Sequence, residues 1–272
     1  RLALETHPDW AILKIDCRNG FNEFVRAFAL SEIGRYPALL AMLPLVHAIL
    51  EQRSPLYAGS QRMPFDSECG GRQGDPLICA VFCLVLNPVI KAAQAAMSLG
   101  FIMAQMDDCY LVGPPAEVAA AYHTFIAELV PTGLTSAVQK CQAYSPDPAA
   151  ALLLPPGVPV SHAGIVAAGV PIGTDNFVQE YLRDKTDRTV SLIKATATSL
   201  RCGHGQDLWA LVTYCLRPLF DHWLQNCYPA HVRPFAREID TALLDAASDA
   251  TVPDLATVDP LVLRRLRLPV RH

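Results

Sequence analysis

The chain has 272 residues, a formal net charge of −4 at pH 7 and a pI near 6.1, and 51% of it is hydrophobic. That is enough for a substantial core in one large domain or two small ones, and the charge balance alone does not announce a nucleic-acid binder. The nine cysteines show no paired Cys-x-x-Cys spacing, and several (Cys79, Cys83, Cys215) lie in apolar surroundings, so they read as reduced, buried thiols without a disulfide partner.

Cys202 and His204 lack the companions that a zinc site needs. The longest uninterrupted apolar run, Leu77 to Leu86, is short for a membrane span and is stopped by Asn87-Pro88, so no membrane partner is expected. The chain opens on Arg1 without a charged-then-apolar leader and reads as an excerpt from a longer polypeptide.

Taken in order, Trp10 to Ile15 is a compact apolar run that predicts a buried strand delivering Asp16 at its C-terminal end. Asn19 is expected to cap a helix whose apolar stripe is Phe21, Phe24, Val25 and Phe28. A second helix is predicted from about Ala38 to Gln52 with a kink or break at Pro44, and a short hairpin precedes Gly70-Gly71. In Gly70-Gly-Arg-Gln-Gly-Asp-Pro76 the glycines free the backbone to approach a ligand, and Pro76 opens an apolar helix running to about Ala96.

The stretch Met103 to Gly113 carries Asp107 and Asp108 between two short apolar runs. Neighbouring side chains in a strand point to opposite faces, so an Asp-Asp pair within a strand would bury one charge. At the tight turn of a hairpin both carboxylates can instead point outward, either as a plain solvated turn or toward a hard cation.

Beyond it, Ala116 to Val130 predicts a helix with Val118, Tyr122, Phe125 and Leu129 on one face, ended by Gly133, and Lys140 follows in a polar strand or turn. Pro146 to Pro159 reads as a loop, and Gly164 to Gly173 as a small β unit. After Asn176 the pattern is wholly helical. Leu208, Leu211, Val212, Cys215, Leu216, Leu219, Phe220, Trp223 and Leu224 keep helical spacing as core stripes, and Val232, Phe235, Ala236, Ile239 and Leu243 repeat it.

The order of these motifs resembles the reverse transcriptase domain of non-long-terminal-repeat retrotransposons over nearly the whole chain. Lys14-Ile-Asp-Cys-Arg-Asn-Gly-Phe-Asn22 resembles the first palm motif of that family, Gly70 to Leu77 its Gly-x-x-Gln-Gly-x-Pro-Leu motif, and Met106-Asp-Asp108 its x-Asp-Asp turn. Gly133-Leu134 with Lys140 is similar to the family's Gly-Leu…Lys segment, and Gly169-Val-Pro-Ile-Gly173 to its primer-grip hairpin. The resemblance implies an α+β fold: a right-hand palm over residues 1–175, with a partial fingers insertion at about 23–70, and an all-helical thumb or connection over 176–272. The N-terminal fingers would precede Arg1.

It also implies RNA-directed DNA polymerisation with two magnesium ions, for which manganese can substitute, on an RNA template, a DNA primer and deoxynucleoside triphosphates, in an intracellular, nuclear or nuclear-cytoplasmic setting. Under it, Asp16 and Asp107 are the principal metal ligands, with Asp108 a weaker partner at the same site, and the metals clamp attacking and leaving oxygens of an in-line transfer. Lys140 protonates the departing pyrophosphate. Phe21 lies under the sugar and excludes a ribose 2′-hydroxyl, and Arg72, Gln73 and Gly74 line the nucleotide and template pocket. Gly169, Val170, Pro171, Ile172 and Gly173 hold the primer terminus, with Arg264, Arg265, Arg267 and Arg271 available to phosphates.

The chain departs from the family pattern at Gln105, where an aromatic is usual, at Gly20 in place of alanine, and at Ile78-Cys79. Those departures keep a second reading open: a decayed or co-opted copy that binds nucleic acid or a partner without polymerising. Phe21 argues against a third, a viral RNA-dependent RNA polymerase, which lacks the blocking aromatic.

Overall fold

The computed structural model describes residues 2–51, 53–72, 74–200 and 205–251. The chain divides into two compact units, Arg1–Ala168 and Gly169–His272, with the boundary between the last two strands of the chain. The texture change expected at Asn176 coincides with the start of a long helix, Asp175–Leu200.

In the first unit the elements run α1 (Leu2–Thr6), β1 (Ala11–Ile15), α2 (Gly20–Glu23), α3 (Arg26–Gly34), α4 (Leu43–Leu50), β2 (Ser54–Ala58), β3 (Gln61–Ser67), α5 (Pro76–Ala95), β4 (Phe101–Gln105), β5 (Asp108–Gly113), α6 (Pro115–Leu129), β6 (Gln142–Tyr144), α7 (Pro148–Ala151), β7 (Val160–Ser161) and β8 (Gly164–Ala167). Five of the strands make one sheet in the order β4-β5-β1-β6-β7. It is antiparallel except for the β6–β7 pair. An α+β fold is what the motif order implied.

The central strand β1 is buried at every position but Lys14, as its apolar run predicts. Alternation sends Leu13, Ile15, Cys109 and Leu111 to one face. There they meet Phe82, Val85, Leu86 and Val89 of α5 and Val118, Tyr122, Phe125 and Leu129 of α6 in a single buried cluster. Asp75 caps α5 by accepting the Leu77 N–H, and Pro76 fills the first turn, where its missing N–H costs nothing. By length and composition α5 could cross a membrane; in this fold Ile78, Val81, Phe82, Val85, Leu86, Val89 and Ala93 are buried in the core.

Two local expectations are corrected. The helix predicted from Asn19 through Phe28 is two helices, broken where Phe24 turns extended (φ −61°, ψ 144°). Asn19 sits at φ 44° and gives no side-chain cap; its amide donates to Glu23 instead. The helix predicted from about Ala38 to Gln52 is shorter, Leu43–Leu50 with Pro44 in its first turn, and the break expected at Pro44 falls just before it, where Pro37–Met42 form a 3₁₀ turn.

In the second unit, β9 (Val170–Gly173) leads into α8 (Asp175–Leu200), α9 (Gly205–Leu211), α10 (Asp221–Asn226) and α11 (Pro229–Thr251). Between α9 and α10 the backbone passes through a π turn and a 3₁₀ turn, Val212–Leu216 and Arg217–Phe220. The spacing of core residues shifts accordingly. Leu208, Val212, Leu216 and Phe220 are buried with Val232, Phe235 and Ile239, whereas Leu211, Cys215, Leu219 and Leu224 of the expected stripe are exposed.

The start of β4 is fixed by Glu117, whose carboxylate accepts the backbone N–H groups of Ser98, Leu99 and Gly100, each at 3.0 Å. Those bonds, that of Gly100 foremost, hold its pKa below the ordinary value. A folded-state pKa below the unfolded one contributes stability at neutral pH that is lost as pH falls through the depressed value. The melting-temperature gap between wild type and Glu117→Gln is therefore expected to be open at pH 7 and to close below about pH 4. A gap that stays constant across that range would contradict the assignment.

Candidate active site

The site is built at one end of the sheet. Because β1 and β5 pair with Ile15 opposite Cys109, Asp16 leaves its strand next to the point where β5 begins. The turn of the β4–β5 hairpin is Met106-Asp107, closed by the Gln105–Asp108 pair. Met106 adopts φ 57°, a left-handed conformation that is strained for a residue with a long side chain. Its sulfur lies 3.9 Å from Sγ of Cys83 on α5.

Asp107 is exposed at this turn. The Cys17 thiol is pushed up to about 12 by its burial first, and then by the negative charges of Asp107 and Asp16. Lys140 ends a 3₁₀ turn and brings Nζ to 4.0 Å from Asp16 Oδ1. The backbone around it is tied to the first motif, since the Ala137 N–H donates to the Asp16 carbonyl and the Arg18 N–H to the Thr135 carbonyl, both at 2.9 Å. The register thus brings the end of β1 at Asp16 and the hairpin turn at Asp107 to the same end of the sheet, with Lys140 beside Asp16.

Asp108 is placed otherwise. It is the first residue of β5, not a turn residue, so its side chain follows the strand alternation onto the face of Lys14 and Tyr110. Lys14 Nζ stands 2.7 Å from Asp108 Oδ1, and the Tyr110 hydroxyl donates to Oδ2 at 3.3 Å. Burial works to lower the Lys14 pKa, but its hydrogen bond to Asp108 and the nearby negative charges outweigh that and leave it raised. The Tyr110 oxygen also accepts the Ala168 N–H at 2.7 Å, which anchors the end of the first unit.

The expected trio of carboxylates is therefore not assembled: among the described residues no group of three His, Cys, Asp or Glu stands together as a metal-holding set. Magnesium needs only one or two carboxylates when substrate phosphates and water supply the remaining ligands. Asp16 and Asp107 fit that requirement, and Asp108 is engaged by Lys14.

Phe21 is half-buried and stacks on Phe82 with ring centroids 4.5 Å apart. Gly20 is explained by the same ring: a Cβ there would lie 2.9 Å from a Phe82 ring carbon, so alanine would need the ring to move. The Gly70-Gly71 stretch docks on this helix pair. The Gly70 N–H donates to the Phe24 carbonyl and the Gly71 N–H to the Phe21 carbonyl, both at 2.8 Å. Gly70 (φ 60°) is obligatory, since a Cβ would fall 2.3 Å from the Asn22 backbone.

Further along, Arg72 is exposed and donates to Ser54 Oγ, and Gly74 (φ 90°) has open space around it. Gln73 lies outside the described residues, as do Cys202, His204, Arg264, Arg265, Arg267 and Arg271. A 490 Å³ groove lined by residues including Ile33, Tyr36, Val46, Val81 and Leu84 is apolar and holds none of the carboxylates.

Gly169–Gly173 belongs to the second unit and is held there. The Gly169 carbonyl accepts from Trp223 Nε1 (3.0 Å) and the Tyr181 hydroxyl (3.2 Å), Val170 packs on the helical core, Pro171 is buried, and Ile172 and Gly173 are half-buried.

Arg26 was not singled out by sequence reasoning. Its guanidinium donates to the Gly70, Cys69 and Leu50 carbonyls and to Ser67 Oγ. The available signal was a cation at the first position of a helix, where the macrodipole disfavours it and a tertiary partner must compensate.

No family model matches the chain, and no curated protein sequence matches it. Among solved structures, telomerase from Candida albicans, in complex with a TWJ fragment of telomeric RNA, is similar at a TM-score of 0.44 and 12% identity, over 92% of this chain and 46% of that one. The chain thus spans less than half the length of that protein.

The burial of Cys17 and Cys109, whose thiol pKa values are both raised by desolvation, predicts their chemistry. At pH 8, iodoacetamide followed by mass spectrometry is expected to label exposed Cys69 and Cys215 in the native protein, and Cys17, Cys109 and Cys141 only after denaturation. Native labelling of Cys17 at the rate of Cys69 would mean that the floor of the site is open.

Proposed function

We propose that the chain is the palm and helical portion of an RNA-directed DNA polymerase of a retroelement, acting on an RNA template, a DNA primer and deoxynucleoside triphosphates in the nucleus. The observation that supports this reading is the strand register that brings Asp16 and the Asp107 turn to one sheet end, with Lys140 4.0 Å from Asp16.

Asp16 and Asp107 would hold magnesium, or manganese in its place. The bound cations would neutralise phosphate charge and activate a primer 3′-hydroxyl for in-line attack on the α-phosphate. Lys140, exposed and 4.0 Å from Asp16, would give a proton to the departing pyrophosphate. Phe21, fixed against Phe82, would exclude the 2′-hydroxyl, and the Gly70–Asp75 loop would contact nucleotide and template. Gly169–Gly173 would hold the primer terminus on the helical unit.

One observation favours the alternative of a co-opted, non-polymerising copy. The Lys14–Asp108 ion pair occupies a carboxylate that the family reading gives to metal.

Primer extension on poly(rA)/oligo(dT) with magnesium, using the longest available form of the protein, separates the two. Polymerisation predicts extension by wild type and a loss of at least about a hundredfold in Asp16→Asn and in Asp107→Asn. Template binding without extension by the folded wild type would support the co-opted reading instead.

A further inference from the structure

A guanidinium offers five N–H donors in a rigid planar fork, which suits it to acceptors arriving from several directions. Arg26 uses the fork in that way. Nε donates to the Gly70 carbonyl at 2.8 Å, one terminal nitrogen to the Leu50 carbonyl at 3.1 Å, and the other to Ser67 Oγ at 3.1 Å and the Cys69 carbonyl at 3.3 Å. The acceptors belong to three segments: the last turn of α4, the end of β3, and the strand-to-loop passage into Gly70-Gly71.

Two of the acceptors are the consecutive carbonyls on either side of the Gly70 Cα, so the guanidinium orients both peptides from which the glycine loop departs. The Gly70 and Gly71 N–H groups are taken by Phe24 and Phe21, and Cys69 Sγ donates to the Asn22 carbonyl at 3.2 Å. Held on both sides, the start of the loop has one available path.

We propose that Arg26 is the positioning residue of the Cys69–Gly71 stretch that opens the glycine loop, setting where that loop meets the incoming nucleotide. The nucleotide clause rests on the polymerase reading; the clause about the loop does not. Arg26 touches no reacting atom, so its removal acts through the loop and raises the substrate requirement more than it slows turnover. Lysine, a single-point cation with three donors, cannot span acceptors from three segments and restores only part of the effect.

The test combines amide hydrogen exchange with steady-state kinetics on wild type, Arg26→Gln and Arg26→Lys, each first shown to melt cooperatively. Arg26→Lys is the second variant should Arg26→Gln not fold. Exchange across residues 69–71 is expected to quicken in both variants while β1 and β5 stay protected. The apparent KM for the nucleotide is expected to rise about tenfold in Arg26→Gln and less in Arg26→Lys, with kcat within about threefold.

Unchanged exchange in the loop of a folded variant would overturn the proposal outright. Faster exchange with unchanged KM would overturn the nucleotide clause. Absence of extension by wild type would sink the polymerase reading and the nucleotide clause together, while the exchange data would still decide whether Arg26 holds the loop.

Discussion

The first unit depends on a helix that is interrupted. Between Glu23 and Arg26 the backbone leaves helical geometry, and the polar groups released there are not left unpaired. The Phe24 carbonyl accepts from Gly70, and the Val25 N–H donates to the Thr132 carbonyl. Phe24 is fully buried, so leaving its carbonyl without a partner would cost about 1–3 kcal/mol. Satisfying both groups draws three distant segments together: the motif after Asp16, the glycine loop, and the turn at Gly133 that leads to Lys140. The sheet supplies the floor, and this break supplies the walls.

The carboxylates are governed by a different rule, the two-residue alternation of a strand. A hairpin turn of only Met106 and Asp107 places Asp108 inside β5, and alternation carries it to Lys14 and Tyr110. The adjacent aspartates therefore have different surroundings. Asp107 is exposed at the hairpin turn, at the sheet end where β1 delivers Asp16. Asp108 is an ion-paired, half-buried link between β1, β5 and the backbone at Ala168. A buried or half-buried ion pair is expensive to break from one side only, so Lys14 and Asp108 act as a unit.

Much of this was legible in the residues. The apolar run ending at Asp16, the Pro76 helix start, the α6 stripe and the helical texture after Asn176 all appear where local pattern places them. What escaped had tertiary causes. The Phe21–Phe28 stripe looks continuous because the break is imposed by partners from Gly70 and Thr132, which no local window contains. The count of turn residues that separates Asp107 from Asp108 depends on strand register, and one residue reverses the outcome. Arg26 gave no motif, since its acceptors are backbone carbonyls that any residues could supply. The stripe from Leu208 to Leu224 was overcounted because the intervening π and 3₁₀ turns change which side chains face inward.

Under the proposed function Asp16 and Asp107 would together bind the cation, while Asp108 is held by Lys14. Manganese binding followed by electron paramagnetic resonance tests it without requiring turnover. The account predicts binding by wild type that is lost in Asp16→Asn and in Asp107→Asn and retained in Asp108→Asn. Loss in Asp108→Asn with retention in Asp107→Asn, all variants being folded, would contradict it.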